Sequence, residues 1–352
     1  NDNHEEAIKQ YLEAIHKHPN FLRAYENLGY SFMQVDQNEK ALPVLIKAVE
    51  LGSNDSQIHG LIGFLYLEKE IYLSALAAFE SAMLFNPRNN TWRFGILQCL
   101  VSLERYEDAL GVAKEILLFD PDNPSNWQNV ANIHLRLEHE DEGMSHLEVT
   151  HSLGGGSYVS RRLLGNMYFN REMVEQSAVE FTEMIMLATE AEELEDVLQV
   201  CEGFLYHGFV EEARSLFEQL SDKGRALGLE LDVESVDFIE AMIALEQGRD
   251  DEALRKLLSL LESNPAHPQA LFFIGQLYAA RGNPDEAGVY FELAQLYPDV
   301  RYDAFYAHAQ LLLALGQRTD ALEKLRQAQA LNPSDELSEI IRSIEDTGRL
   351  IR

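Results

Sequence analysis

Cysteine is scarce in this chain, since its 352 residues contain only two, Cys99 and Cys201. Two cysteines cannot build the dense disulfide framework of a small secreted domain, and no spacing in the sequence suits a cysteine-bound zinc ion. Both lie in segments with helical apolar spacing, where cysteine serves as a small apolar residue. We therefore expect both thiols to pack in the interior, and the sequence predicts no cofactor.

Basic side chains are also few. Lysine and arginine together number 28 against 59 aspartates and glutamates, which gives a formal net charge of −31. Residues 101–250 alone hold 32 acidic and 10 basic side chains, a net charge of −22. A field of this sign repels phosphate backbones, so we expect no nucleic-acid partner. The surplus either favours a basic protein partner or serves only to keep the chain in solution.

Long apolar runs and catalytic motifs are missing as well. No stretch approaches 18 uninterrupted apolar residues, so no direct membrane span is predicted. The sequence has no nucleophile elbow, no Walker sequence and no dinucleotide fingerprint. His16-Lys17-His18 lacks a third metal ligand, and Asp120-Pro121-Asp122-Asn123 lacks the glycine and distal glutamate of a calcium loop. We expect a protein that is not an enzyme and binds no metal ion.

What the chain does contain is a small residue at almost constant spacing. Successive copies lie 34 residues apart, except for one interval of 36 and one of 40. A period near 34 is typical of stacked helical hairpins, each of which buries its apolar face only against its neighbours. The ten positions are Ala7, Ala41, Ala75, Ala109, Gly143, Ser177, Ala213, Ala253, Ala287 and Ala321.

One copy, residues 56–89, illustrates the motif. Offsets of three, four and seven place its apolar and small residues on one face of each of two helices. The first helix carries Ile62, Gly63 and Tyr66, and the second carries Ala75, Phe79 and Ala82. Pro87 follows at a turn that ends the second helix. Residues 268–301 repeat the pattern. These motifs resemble the tetratricopeptide repeat, with L-G-x-x-Y on the first helix, A-x-x-x-F-x-x-A on the second and then proline. The resemblance covers about residues 1–333.

The resemblance implies an all-α, right-handed α-solenoid (a superhelix) of about nine and a half helix–turn–helix repeats with a C-terminal capping helix. The chain begins with the second helix of a repeat, so we expect missing upstream residues or a contact of this exposed helix with another chain. The predicted divisions are an N-terminal subarray in 1–189 with its first repeat half-present, an irregular repeat with an extended turn in 190–233, a C-terminal subarray in 234–335 and a capping helix in 336–352.

Two irregular segments are interpreted separately. Gly154-Gly155-Gly156 replaces a proline turn and is either a flexible joint or a tight turn. The stretch from Ser221 to Asp232 is expected to be a longer turn, because the spacing of the repeat breaks there.

In the family that the chain resembles, the first helix of each repeat lines a concave groove that binds peptides or partner proteins. The residue after Gly63 and its equivalents, and the residue four positions before that one, are expected to face this groove. Amides are frequent there, and an amide can hydrogen-bond an extended peptide backbone of any sequence, although such residues are otherwise ordinary solvated helix positions. Gly60, Glu202 and Met242 share this register. The predicted binding residues are Phe94, Gln98, Asn132, Arg162, Asn166, Phe238, Phe272, Gln276, Tyr306 and Gln310.

We predict a non-catalytic protein–protein interaction scaffold that binds a peptide or partner protein in the groove. Two alternatives stay open: an assembly platform that self-associates through its N-terminal half-repeat and other exposed terminal helices, and the repeat portion of a larger cell-envelope or secretion protein. Regular Asn-Pro turns suggest a bacterial source. The sequence does not decide between a cytoplasmic and a periplasmic or envelope-associated location.

Overall fold

The computed structural model describes residues 2–349, which form twenty α-helices and no β-strand. The chain divides into two compact units, Asn1–Leu164 and Gly165–Arg352, and the boundary falls inside α10 (Tyr158–Asn170). The helices before the boundary are α1 (Asp2–Lys17), α2 (Leu22–Gln34), α3 (Asn38–Glu50), α4 (Ser56–Glu68), α5 (Tyr72–Phe85), α6 (Asn90–Ser102), α7 (Tyr106–Phe119), α8 (Pro124–Arg136) and α9 (Glu140–Ser152).

The second unit continues after α10. Its helices are α11 (Val174–Leu187), α12 (Ala191–Tyr206), α13 (Val210–Leu227), α14 (Val233–Glu246), α15 (Asp250–Ser263), α16 (Pro268–Ala280), α17 (Pro284–Ala294), α18 (Arg301–Ala314), α19 (Arg318–Leu331) and α20 (Asp335–Arg349). Within residues 2–349 we find no helix with the length and apolar character needed to cross a bilayer.

Each unit is a stack of helical hairpins. In the first unit α2 packs on α3, α4 on α5 and α8 on α9, and in the second α12 packs on α13, α14 on α15 and α16 on α17. The single helix α1 followed by nine hairpins reproduces the predicted half-repeat and nine repeats. The prediction of an all-α helical-repeat solenoid is therefore confirmed. The right hand of the superhelix and the subarray limits at residues 189 and 233 stay predictions.

Close approach of the paired helices depends on matched small and large residues. The Phe79 ring lies between two glycines, and a Cβ atom added to either Gly63 or Gly95 would come within 2.7 Å of it. A Cβ on Gly275 would likewise lie 2.7 Å from the Phe291 ring. Both rings are buried, so each glycine supplies the volume that a ring of the second helix fills. Nine of the ten recurring small residues are buried, and Ala7 in α1 is half-buried.

A left-handed residue ends the first helix of every hairpin. Glu104, for example, has φ of 57°, and its N–H donates to Val101 O at 3.0 Å while the next N–H, that of Arg105, donates to Leu100 O at 2.9 Å. This pair of bonds is a Schellman motif, which satisfies the last carbonyls of the helix. The positive-φ residues are Asp36, Glu70, Glu104, Glu138, Glu172, Gly208, Gly248, Gly282 and Gly316.

The turns between hairpins are capped by side chains. Asp55, Asn89 and Asn123 accept hydrogen bonds from backbone N–H groups two residues ahead at 2.8, 3.0 and 3.0 Å, and so start α4, α6 and α8. The three glycines at 154–156 form a tight turn, since Gly155 N–H donates to Thr150 O at 3.0 Å and Gly154 and Gly156 have positive φ. Of the two interpretations of this glycine segment, a flexible joint or a tight turn, the backbone has the geometry of the tight turn.

The predicted long turn from Ser221 to Asp232 is wrong. Residues 221–227 are helical and extend α13 to 18 residues, and the chain turns only after Gly228, whose φ is 67°. The acidic segment from Glu190 is helical too, because Glu190 and Glu193 form a capping box that starts α12. The extra residues of the 36- and 40-residue intervals therefore lengthen helices, which keeps their backbone groups paired.

The two ends of the array are partly covered. In α1, Ile8, Tyr11 and Ile15 pack against the buried cluster of α2, α3 and α4, while Leu12 stays 48% exposed. Self-association through this helix stays a prediction. At the other end, Leu337 is buried and Ile340, Ile341 and Ile344 pack with Leu325, so α20 covers the last hairpin as expected. Residues 350–352 of the predicted cap lie outside the described residues.

The matched volumes predict a compensating pair of substitutions. Leu97 and Ala113 occupy the positions that Gly275 and Phe291 hold in their repeat, with the large residue on the opposite helix. Phe291→Ala should cost about 3–5 kcal/mol and Gly275→Leu about 1–3 kcal/mol, because one leaves a void and the other overpacks. The double variant should cost at least about 1 kcal/mol less than the sum of the two. Urea unfolding of all four proteins measures this, and additive costs would contradict it.

The hairpin turns give a second prediction. Glu104→Gly should stabilise the chain by about 0.5–1 kcal/mol, because relief of the left-handed strain exceeds the added entropy of the unfolded chain. Gly282→Ala should destabilise it by about 1 kcal/mol for the converse reason. Glu107→Gly, in the first turn of α7, is the control and should destabilise. If Glu104→Gly lowers the denaturation midpoint as the control does, the turn does not carry this strain.

Candidate functional site

The first helices of the hairpins form one face of each unit, which we call the inner face (α2, α4, α6 and α8 in the first unit; α12, α14, α16 and α18 in the second, with α10 contributing to each). The five predicted amides on this face are exposed: Gln98 and Asn132 in the first unit, and Asn166, Gln276 and Gln310 in the second. Arg162, at the end of the first unit, is exposed as well. The side chains are thus presented to solvent in the register that the repeat predicts.

The four predicted aromatic residues differ in exposure. Phe94 is 41% exposed, and Phe272 and Tyr306 are half-buried, with Phe272 packing 5.4 Å from Phe273 and Tyr306 stacking on Tyr302. Phe238 is only 5% exposed and belongs to the core between α14, α15 and α16. It therefore presents only a small part of its side chain to the inner face.

In the first unit a tryptophan fills part of the inner face. A Cβ atom on Gly60 would lie 2.2 Å from the Trp92 ring, and Trp92 Nε1 donates to Ser56 Oγ at 2.8 Å. Phe64, beside it, is edge-on to Phe79 with ring centroids 5.0 Å apart. The register places residue 60 on the groove, but the sequence pattern did not reveal that a ring from the next repeat covers it.

The second unit has a defined pocket on its inner face, which we call the α12–α16 pocket. It has a volume of about 250 Å³ and is formed by three consecutive first helices, α12, α14 and α16. Its wall is mostly aromatic and apolar, with one carboxylate and two amides. The lining residues are Gln199, Glu202, Gly203, Leu205, Tyr206, Phe238, Met242, Gln269 and Phe273.

Glu202 is the charged group of this pocket. It is half-buried, and burial raises the pKa of its carboxyl above the ordinary 4.5; a hydrogen bond from Ser235 opposes that rise and the negative charge of Asp232 adds to it. Asp232 itself caps α14, accepting from Ser235 N–H at 2.8 Å. The carboxyl of Glu202 therefore interacts with the first residues of α14.

Among residues 4–345, whose side chains the structure describes, no basic group forms an ion pair with Glu202. The cations on the neighbouring helices are engaged elsewhere: Lys256 pairs with Glu240, Arg249 with Glu252 and Arg281 with Asp251. Of the described side chains, only the Ser235 hydroxyl favours the charged form of Glu202, which is partly removed from water. A half-buried carboxylate without a cation favours a positively charged ligand group.

Of the ten predicted binding residues, Phe238 lines this pocket, and the others are distributed over the two inner faces. Tyr206, Phe273, Gln199 and Gln269 were missed. Tyr206 lies four residues after Glu202 and Gln199 three before it, so helical spacing puts all three on one face. Counting three and four residues either side of the predicted register would have found them.

Both cysteine thiols are held in their protonated form. Burial raises the pKa of Cys99 to about 11 and of Cys201 to about 12, so both thiols stay protonated near neutral pH. Within the described part of the chain, no three His, Cys, Asp or Glu side chains are grouped to hold a metal ion. The exposed amides and the α12–α16 pocket are the features with which a ligand could form specific contacts.

Comparison with known proteins places this architecture among known repeats. A profile described as tetratricopeptide repeat matches residues 62–124 and 240–300, and a second profile of the same description matches residues 22–55. The tetratricopeptide repeat protein 21 homolog of Caenorhabditis briggsae is 22% identical over 297 residues, which cover 77% of this chain and 22% of that protein. Anaphase-promoting complex subunit 3 of Schizosaccharomyces pombe is 21% identical over 155 residues, 44% of this chain and 23% of that protein.

The chain spans about a quarter or less of the length of the curated relatives it matches. Among solved structures, YrrB, a TPR protein with an unusual peptide-binding site, is 21% identical, with a TM-score of 0.45 over 52% of this chain and 94% of that one. Likenesses at this TM-score do not define a shared site.

Proposed function

Because the chain belongs to the tetratricopeptide repeat family, we propose that it is a non-catalytic protein–protein interaction scaffold whose inner faces bind an extended peptide segment of a partner. The interaction role follows from the family and the stacked hairpins. The finer assignment, peptide binding by the inner faces, is our inference from the side chains that these faces present.

The exposed amides carry this inference. Gln98, Asn132, Asn166, Gln276 and Gln310 occupy equivalent positions on five first helices, and all are exposed. A carboxamide donates through its NH₂ and accepts through its oxygen, so it pairs with both peptide N–H and C=O groups. An extended segment exposes both kinds of group at regular spacing. Amides repeated on successive first helices therefore suit recognition of a peptide backbone more than recognition of a particular side chain.

The packing of the repeats supports a binding role over a catalytic one. The two thiols are buried and protonated, and the described polar groups are spread along the inner faces instead of converging on one reacting centre. Self-association, membership of a larger envelope or secretion protein and a bacterial source stay predictions.

A pair of amide substitutions tests the proposal. A peptide is first selected against the full chain from a random-sequence display library, and its affinity is measured by calorimetry. The double substitution Gln98→Ala and Asn132→Ala, on two neighbouring first helices of the first unit, should weaken binding about ten- to a hundredfold, because each lost hydrogen bond contributes about 0.5–1.5 kcal/mol. The urea denaturation midpoint should not change, since both side chains are exposed.

The matched control is Gln176→Ala, which removes an exposed amide from α11, a second helix. It should leave the affinity unchanged. Equal losses in Gln176→Ala and in the double variant, or no loss in either, would reject the inner face as the binding surface.

A further inference from the structure

We propose that the α12–α16 pocket binds an arginine side chain of a basic partner segment, with Glu202 as the anion that receives the guanidinium group. This inference rests on the proposed function, because it places such a segment on the inner face of the second unit. It adds a preference for a positively charged side chain in the partner, which the exposed amides do not provide.

The size of the pocket suits a single amino-acid side chain of the partner as its ligand. Its volume of about 250 Å³ lies below the range of about 300–1,000 Å³ that is usual for pockets that enclose whole small-molecule ligands. The pocket is also open on one side to the inner face, where Tyr206 is 62% exposed. A single long side chain projecting from a bound peptide fits such a recess.

The walls suit a planar cation. Phe238, Phe273 and Tyr206 supply aromatic rings, and Phe238 and Phe273 are held against each other with centroids 6.3 Å apart. Guanidinium stacks on aromatic faces and is less strongly hydrated than ammonium, so it loses less on entering an aromatic recess. The amide oxygens of Gln199 and Gln269 can accept from N–H donors that Glu202 leaves unused, and arginine has five such donors.

Glu202 supplies the charge of the pocket lining. Interaction with the Ser235 hydroxyl favours its ionised form, and a carboxylate has about four acceptor positions, so several stay open to a ligand. Since no described lysine, arginine or histidine pairs with it, an incoming guanidinium would meet an uncompensated negative charge. A hydrogen bond between two ionised groups in a half-buried site is stronger than one between neutral groups.

The surroundings bring basic segments toward the site. Asp232, Glu234, Asp237 and Glu240 lie in or next to the first turns of α14, and residues 101–250 carry a net charge of −22. Such a field raises the local concentration of cationic peptides and speeds their encounter with the surface. The charge of the chain and the carboxylate of the pocket therefore favour the same class of partner.

Methyl NMR of Met242 tests the inference, because this side chain lines the pocket. The full chain, labelled with ¹³C at its methionine methyl groups, is titrated with acetyl-Ala-Ala-Arg-Ala-Ala-amide and with the same peptide carrying citrulline, the neutral isostere of arginine. The arginine peptide should shift the Met242 resonance saturably, and the citrulline peptide should bind at least about tenfold more weakly.

Three variants locate the effect. Glu202→Gln should lower the affinity for the arginine peptide at least about tenfold and leave that for the citrulline peptide unchanged. Glu246→Gln, an exposed carboxyl on α14 outside the lining, is the charge-matched control and should change neither. Gly203→Leu should block the pocket while the chain still folds, because a Cβ at residue 203 meets no atom within 4 Å.

The pH dependence gives an independent readout. Arginine keeps its charge, so the affinity for the arginine peptide should fall as pH drops through the raised pKa of Glu202, and Glu202→Gln should show a shallower dependence on pH in this range. Asp232, at the start of α14, and Cys201, beside Glu202 on α12, are the titratable groups that interact with it electrostatically. The Cys201 thiol, whose pKa is about 12, does not titrate in this range.

The outcomes separate this inference from the proposed function. Equal shifts of Met242 with arginine and citrulline peptides would reject the arginine site and leave peptide binding by the inner face in place. No shift with either peptide would reject the pocket as a binding site, while the Gln98 and Asn132 double variant decides on peptide binding separately. Unchanged arginine affinity in Glu202→Gln would reject Glu202 as the receiving anion.

Discussion

The structure depends on the volume shared between the two helices of each hairpin. Glycine on the first helix faces phenylalanine on the second at Gly63 and Phe79, at Gly165 and Phe181, and at Gly275 and Phe291. At the equivalent positions of another repeat the sizes are reversed, with Leu97 on the first helix and Ala113 on the second. Interiors pack at near-crystalline density, so the pair is constrained and its members can exchange roles. In each of these hairpins one small and one large residue together fill the space between the two helices.

Packing alone does not determine the register of one helix against the other in a hairpin. The left-handed turn between the two helices fixes that register. In the first five hairpins this residue is aspartate or glutamate, and in the last four it is glycine. The same Schellman bonds form in both sets, so the turn geometry does not depend on glycine. Matched packing and a fixed register together place equivalent residues of successive first helices on the same face, which is the condition for a repeated binding surface.

The sequence predicted those properties that recur with the period. The number of hairpins, the small residues, the capping helix and the exposure of the amides all follow from spacing, because helical geometry is set by local pattern. Properties that arise from one contact were not predictable: Trp92 over Gly60, the burial of Phe238 and the presence of a recess between α12, α14 and α16. The end of the longer α13 was mistaken for a turn, since an inserted turn of helix and an inserted loop change the spacing equally.

Comparison of the repeats within the chain shows which positions the packing constrains and which can vary with function. The recurring small positions hold alanine, glycine or serine in every copy, because packing tolerates nothing larger. The inner-face register of Gly60 holds phenylalanine, glutamine, arginine and tyrosine in other copies. In the proposed mode, exposed amides hold a peptide backbone whatever its sequence, and Glu202 distinguishes one sign of charge. Affinity and selectivity then belong to different residues on a common scaffold, so each can change without disturbing the packing that both depend on.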